Sequence, residues 1–274
     1  MSPDPWSFAG IDPSGGAGLY QDLRVFQSLG FRGRGVPTCL TVQNPNGVRR
    51  VEPVPEKIFS SMVETLAEES LPGALKIGLL PISLCGVLEG FLGSLPSDTT
   101  VVLDPVYRFG KGGGIFSPEE YRMMARTVFP RVTLITPNLP EAQELAGWSL
   151  ERYPEDLSLM ARRIHDQYGA PAILVKGGHF AGDGPKVDLF WTPLSERFYH
   201  HPAKPLPGIH GGGCTLSSLV SALALFSGGA PLEANVSRAL ALYQTLLEGI
   251  GASGRAILEP ERLRRNASGG ASLS

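Results

Sequence analysis

Residues 132–146 read Val132-Thr133-Leu134-Ile135-Thr136-Pro137-Asn138-Leu139-Pro140-Glu141-Ala142-Gln143-Glu144-Leu145-Ala146. The first five residues are a short apolar, β-branched run, which predicts a strand. The last eight predict a helix from Leu139 to Ala146. The polar turn Thr136-Pro137-Asn138 joins them. The same succession of strand, polar turn and helix recurs nearby. Val101-Val102-Leu103 runs into Asp104-Pro105, and Ala172 to Val175 runs into Lys176-Gly177-Gly178-His179. These runs are continuously apolar, as expected of strands buried on both faces. Strand-then-helix repetition predicts an α/β fold with a mostly parallel sheet and helices on both faces. Ligands in such sheets bind outside the carboxyl ends of the strands, where these polar residues fall.

Working outward, further strands are expected over Ser7 to Ile11, Val36 to Val42, Ala74 to Leu79 and Val187 to Trp191. Further helices are expected over Gly18 to Leu29, Pro55 to Glu69, Ser83 to Gly93, Pro118 to Thr127, Pro154 to Tyr168, Cys214 to Phe226 and Leu232 to Ile250. Arg49 to Val54 and Glu196 to His201 suit short edge or flap strands. With no repeat and no long linker, one domain over residues 1–265 is expected. The Ser/Gly/Ala-rich tail, 266–274, is expected to be disordered.

Composition narrows the function. The 274 residues carry a formal net charge of −2, so no basic face recommends nucleic acid or an anionic membrane as partner. Cys39, Cys85 and Cys214 are odd in number and unpaired in spacing, which argues against a disulfide framework or zinc site and for a reducing, cytoplasmic setting. The five histidines show no metal-ligand spacing. No apolar run approaches the roughly 20 residues that span a bilayer, and the first residues carry no signal-peptide pattern.

Gly211-Gly212-Gly213-Cys214-Thr215 precedes an apolar-periodic helix. Glycines let backbone amides approach a ligand, and a helix start adds free N–H groups and a positive dipole end. Phosphate is the natural guest. Cys214 in the first turn is expected to have a lowered thiol pKa. A second glycine-rich element, Gly10-Ile11-Asp12-Pro13-Ser14-Gly15-Gly16-Ala17-Gly18, follows the first strand. It matches neither common nucleotide fingerprint. Asp22 falls on the inward stripe of the next helix and needs an answering group, either a ligand or a buried donor. Glu141 in a first helical turn suits either a hydrated Mg²⁺ or the helix dipole, with Asp104 as a second acidic group. Lys176 suits a nucleotide phosphate or the sheet rim. Gln43-Asn44 suits a polar heterocycle or a turn.

Together these elements resemble the hydroxymethylpyrimidine/phosphomethylpyrimidine kinase family of thiamine biosynthesis, within the ribokinase-like superfamily. The resemblance rests on six motifs in family order: residues 9–18 with Asp22, Thr41-Val42-Gln43-Asn44, Val102 to Val106, Ile135 to Ala142, Val175 to His179, and His210 to Ser217. It implies a three-layer α/β/α sandwich of about nine strands and a dimer. It further implies transfer of the ATP γ-phosphoryl group to a hydroxymethyl or phosphomethyl pyrimidine. By the resemblance, Gly10, Asp22, Gln43, Leu79 and Val106 hold the pyrimidine. Lys176, Gly177, Thr215 and Lys111 contact the nucleotide, and Asp104 and Glu141 serve Mg²⁺. Gly211, Gly212 and Gly213 form an anion hole, with Cys214 as base where related sugar kinases use Asp.

The chain departs from the family pattern at four places. Gly212 replaces the threonine of Gly-Thr-Gly-Cys. Phe109-Gly110-Lys111-Gly112 replaces a Lys-Ser-Gly loop. Lys204 to Ile209 replaces a Thr-Lys-Asn-Thr run, and Leu79 replaces a methionine. A pyridoxine or pyridoxal kinase, and a non-catalytic pyrimidine binder, are the alternative readings.

Overall fold

The strands divide their side chains between two cores. The computed structural model of the chain describes residues 4–44, 47–107, 116–180, 185–201, 208–226, 229–248, 250 and 256–264. Nine strands form one sheet: β1 (Pro5–Ile11), β2 (Arg34–Asn44), β3 (Gly47–Pro53), β4 (Ala74–Ile77), β5 (Thr100–Leu103), β6 (Leu134–Ile135), β7 (Ile173–Val175), β8 (Lys186–Trp191) and β9 (Glu196–His201). Their spatial order is β3-β2-β1-β4-β5-β6-β7-β8-β9. In that order, the six strands from β2 to β7 run parallel to one another. Antiparallel β3, β8 and β9 close the edges. The two expected flap segments are thus β3 and β9.

Along a strand, successive side chains enter opposite layers. Leu103, Ile135, Ile173 and Val175 join one buried cluster, whereas Val102, Leu134 and Leu174 join the other. The helices are α1 (Gly18–Ser28), α2 (Glu56–Glu69), α3 (Cys85–Ser94), α4 (Pro118–Val128), α5 (Leu139–Ala146), α6 (Asp156–Tyr168), α7 (Gly212–Phe226) and α8 (Leu232–Glu248). Helices α1, α7 and α8 supply the second cluster; α2 to α6 supply the first. The result is the α/β/α sandwich that the sequence implies.

Local chemistry sets several boundaries. A capping box starts α5: the Glu141 N–H donates to Asn138 Oδ1 at 3.0 Å, and the Asn138 N–H donates to Glu141 Oε2 at 2.8 Å. Left-handed Gly147, at φ 57°, ends the same helix. Helix α7 begins at Gly212, two residues before the expected start, because the Thr215 N–H closes its first turn on the Gly211 carbonyl at 2.9 Å. A short parallel pair, β10 (Ile209–His210) with β11 (Ala256–Ile257), was not foreseen; two residues carry no readable period. Lys111, residues 204–207 and the tail from 266 lie outside the described residues.

Candidate active site

Parallel strands β1, β4, β5, β6 and β7 all present their carboxyl ends at one edge of the sheet. Just beyond those ends stand Asp12, Leu79, Asp104, Thr136 and Lys176. The start of α7 meets the same edge. A Cβ on Gly213 would lie 3.0 Å from both Asp104 Oδ2 and Lys176 Nζ. The first N–H groups of α7, which have no acceptor within the helix, therefore open beside a fixed cation.

Two glycine loops interlock to hold this arrangement. Gly211 has φ +75°, and a Cβ there would collide with the Gly16 carbonyl oxygen. Only glycine permits both that conformation and that approach. His210 Nε2 lies 2.7 Å from Asp12 Oδ2, and the Ser14 N–H donates to Asp12 Oδ1 at 2.9 Å. Burial works against the Asp12 carboxylate, yet the Ser14 N–H and His210 hold its pKa below the usual range. An ionised Asp12 thus clamps the first loop to the residue preceding the second.

Lys176 Nζ donates to Asp104 Oδ1 at 2.6 Å, and Thr136 Oγ1 donates to the same oxygen at 3.3 Å. Burial opposes the Lys176 charge, but the fields of Asp104 and Glu141 raise its pKa, so it remains an ammonium. Glu141 caps α5 through one oxygen and accepts the Tyr107 N–H at 3.4 Å through the other. Burial pushes its carboxyl up to about 7, against the opposing pull of Lys176 and with the Asp104 charge adding to the rise.

A raised carboxyl pKa gives a signed prediction. The stability that Glu141 supplies is present below its unfolded value near 4.5 and is lost as pH rises through about 7. In metal-free buffer, Glu141→Gln is expected to flatten this part of the stability-versus-pH curve. Thermal unfolding at intervals between pH 4.5 and 8 checks it; an unchanged slope contradicts it.

Cys214 is the third residue of α7, and its sulfur accepts the Gly18 N–H. The expected lowering of its pKa does not occur. Burial pushes the thiol up to about 11, outweighing the Lys76 charge and the Gly18 N–H. At neutral pH Cys214 is a thiol.

Gly10 borders side chains of β2 and of the segment after β4. A Cβ on Gly10 would lie 2.8 Å from Cys39 Sγ, 3.4 Å from Leu79 Cδ2 and 3.6 Å from Thr41 Cγ2. Along β2 the burial alternates: Thr41 buried, Val42 exposed, Gln43 half-buried, Asn44 exposed. Gln43 thus continues the face that carries Thr41.

Residues 12–255 match the family described as phosphomethylpyrimidine kinase. The chain belongs to the phosphomethylpyrimidine kinase family. A hydroxymethylpyrimidine/phosphomethylpyrimidine kinase from Aquifex aeolicus is 35% identical over 220 residues, covering 79% of this chain and 84% of that protein. The phosphomethylpyrimidine kinase structure from Clostridium difficile aligns with TM-score 0.74 at 28% identity, covering 89% of this chain and 98% of the other. The pyridoxal kinase of Staphylococcus aureus in complex with AMP-PCP aligns with TM-score 0.83 at 24% identity, covering 95% and 94%. That last likeness shows the fold alone.

Against the family pattern, the structure sorts the expected site residues into two groups. It brings together Gly211 to Cys214, Asp104, Lys176 and Glu141, and separately Gly10 with Leu79. The Val106 N–H folds back onto the Asp104 carbonyl at 2.9 Å, placing Val106 at the same strand end. Asp22 and Thr215 are buried and hydrogen-bonded within the protein. Asp22 is fully buried and accepts from Ser7 Oγ at 2.6 Å, Lys76 Nζ at 2.7 Å and Ser218 Oγ at 2.8 Å. The buried-donor reading of Asp22 is the one this geometry realises. Thr215 is also buried; its hydroxyl donates to the Gly211 carbonyl at 2.9 Å and accepts from Gln21 Nε2 at 2.9 Å. It fastens the glycine turn to α1. Gly177 donates its N–H to Asp188 Oδ1 at 2.7 Å, which fixes the turn after Lys176.

Sequence reasoning missed Lys76. Its signal was present: a lysine inside the apolar strand Ala74-Leu75-Lys76-Ile77, facing an acid on an inward helix stripe. Burial opposes its charge, and the neighbouring Asp22 more than restores it, holding the pKa above the ordinary value.

Among the described residues no group of three or more His, Cys, Asp and Glu side chains could cage a metal. Asp104 and Glu141, two carboxylates near the α7 start, are nonetheless a donor set of the kind that suits Mg²⁺. That ion keeps most of its waters and takes its remaining ligands from phosphate oxygens.

Proposed function

We propose that this chain transfers the γ-phosphoryl group of ATP to 4-amino-5-hydroxymethyl-2-methylpyrimidine, to its monophosphate, or to both, within thiamine biosynthesis. The observation that carries this reading is the meeting of the α7 start with the Lys176–Asp104 pair at the carboxyl edge of the sheet. The backbone N–H groups of Gly212, Gly213 and Cys214 receive the transferring group's oxygens, and Lys176 supplies a fixed positive charge. Asp104 and Glu141 hold Mg²⁺ through its waters. When bound, that ion neutralises phosphate charge. The pyrimidine lies against Gly10, Leu79 and Val106, with Gln43 reading its polar edge. Its oxygen attacks phosphorus, the bond to the β,γ-bridging oxygen breaks, and ADP leaves. Cys214 stands at the helix start to receive the hydroxyl proton when the substrate is the alcohol, after its own proton has left. Positioning and charge do most of the work.

The discriminating experiment measures kcat/KM of purified protein with Mg²⁺ and ATP, on the hydroxymethylpyrimidine and on pyridoxal. The proposal expects the larger value for the pyrimidine, because Gln43 pairs donor with acceptor on an aminopyrimidine edge. A larger value for pyridoxal overturns it, and absence of turnover on either substrate supports a non-catalytic binder.

The proposal includes a homodimer of single-domain protomers in a reducing, cytoplasmic compartment. Among the described residues, all three cysteines are free, and no helix is long and apolar enough to cross a membrane. Leu40 and Val42 each stand 54% exposed on β2, next to the edge strand β3, with Ile58 equally exposed on α2. A second copy of this chain covering that face accounts for apolar side chains in water. Sedimentation is expected to give twice the protomer mass, and Val42→Lys to shift it toward the monomer; a wild-type monomer at micromolar concentration contradicts this.

A further inference from the structure

Gly212 is flanked by a side chain that sequence reading did not single out. A Cβ on Gly212 would lie 2.6 Å from Tyr243 Oη and 3.7 Å from Tyr243 Cζ. The phenol of Tyr243, on α8, therefore points its oxygen at the first residue of α7, beside the free N–H groups. Among the described residues that hydroxyl has no hydrogen-bond partner, and Ile209 Cγ2, 3.3 Å from the same Cβ position, borders the space.

We infer that Tyr243 donates its hydroxyl hydrogen bond to the terminal phosphates of the bound nucleotide, supplying from α8 the hydroxyl that Gly212 lacks. This rests on the phosphoryl-transfer reading above, which places those phosphates at the α7 start. Two features make the assignment specific. The space is exclusive: a threonine at 212 and the Tyr243 oxygen compete for one volume, and glycine at 212 leaves it to the tyrosine. The hydroxyl is also a dependable donor. Burial, with the charges of Asp188 and Asp104 adding, holds the phenol pKa well above its ordinary value.

Calorimetric binding of AMP-PCP and AMP to the full chain in the presence of Mg²⁺ tests the inference. Tyr243→Phe is expected to weaken AMP-PCP about tenfold, the scale of a hydrogen bond to a charged group, while AMP affinity stays unchanged. Gly212→Thr alone is expected to weaken AMP-PCP as well, because its side chain collides with the phenol oxygen. Combining Gly212→Thr with Tyr243→Phe is expected to recover AMP-PCP binding, since the threonine then occupies the vacated volume. Unchanged AMP-PCP affinity in Tyr243→Phe, or equal weakening of AMP, overturns the inference and leaves the kinase reading standing. Failure of the wild-type chain to bind AMP-PCP overturns both.

Discussion

Lys76→Met is expected to destabilise the chain by about 3–5 kcal/mol, read as a lower midpoint in urea unfolding. Lys76 and Asp22 are both fully buried, 2.7 Å apart, with Ser7 and Ser218 completing the carboxylate's hydrogen bonds. Methionine fills the lysine's volume and leaves Asp22 as a charge with only neutral partners. A buried pair of this kind contributes modestly over an apolar replacement, but losing one partner strands the other. One corollary distinguishes that cause from simple misfitting. Adding Asp22→Asn to Lys76→Met is expected to recover most of the loss, because no charge then remains. A deficit under about 1 kcal/mol, or no recovery in the double variant, contradicts the account.

Cys214→Ala is expected to lower kcat about 100-fold, the lower end of what general-base catalysis supplies. The KM for ATP is expected to stay within about twofold, because the α7 backbone donors do not depend on the side chain at 214. The thiol's raised pKa, about 11, adds a pH signature. A base acts when deprotonated, so the wild-type rate rises with pH toward that value, and the alanine variant loses the rise. An unchanged kcat places the proton elsewhere and removes Cys214 from the chemistry. Lost ATP binding in the variant would show that the sulfur shapes the anion hole and does more than receive a proton.

The sandwich was legible because its strands are apolar on both faces. Val102-Leu103 and Leu134-Ile135 each send one side chain to either core, a pattern that few other folds demand. The strand ends were legible because Asp104, Asn138 and Lys176 break those apolar runs at the edge where ligands bind. Contacts between distant segments were not. That Asp22 answers Lys76, and that Thr215 ties Gly211 to Gln21, depends on which faces meet, and a single sequence does not print it. The Cys214 pKa was misjudged for a related reason. A helix start lowers it by a local rule, whereas burial, with the charges of Asp22 and Asp104 adding, raises it through the tertiary environment. Glu141 shows the reverse: its first-turn place was legible, but that it closes a capping box on Asn138 and also faces the site's cation was not.

The central claim is that the glycine turn, Lys176 and the Asp104–Glu141 pair form one phosphoryl-transfer site. Incubating the purified chain with γ-labelled ATP, Mg²⁺ and the hydroxymethylpyrimidine, and identifying the labelled product, tests this most directly. Label on the pyrimidine's hydroxymethyl oxygen, or on the phosphate when the monophosphate is supplied instead, is the predicted result. Label remaining in ATP, or passing only to inorganic phosphate, would contradict it.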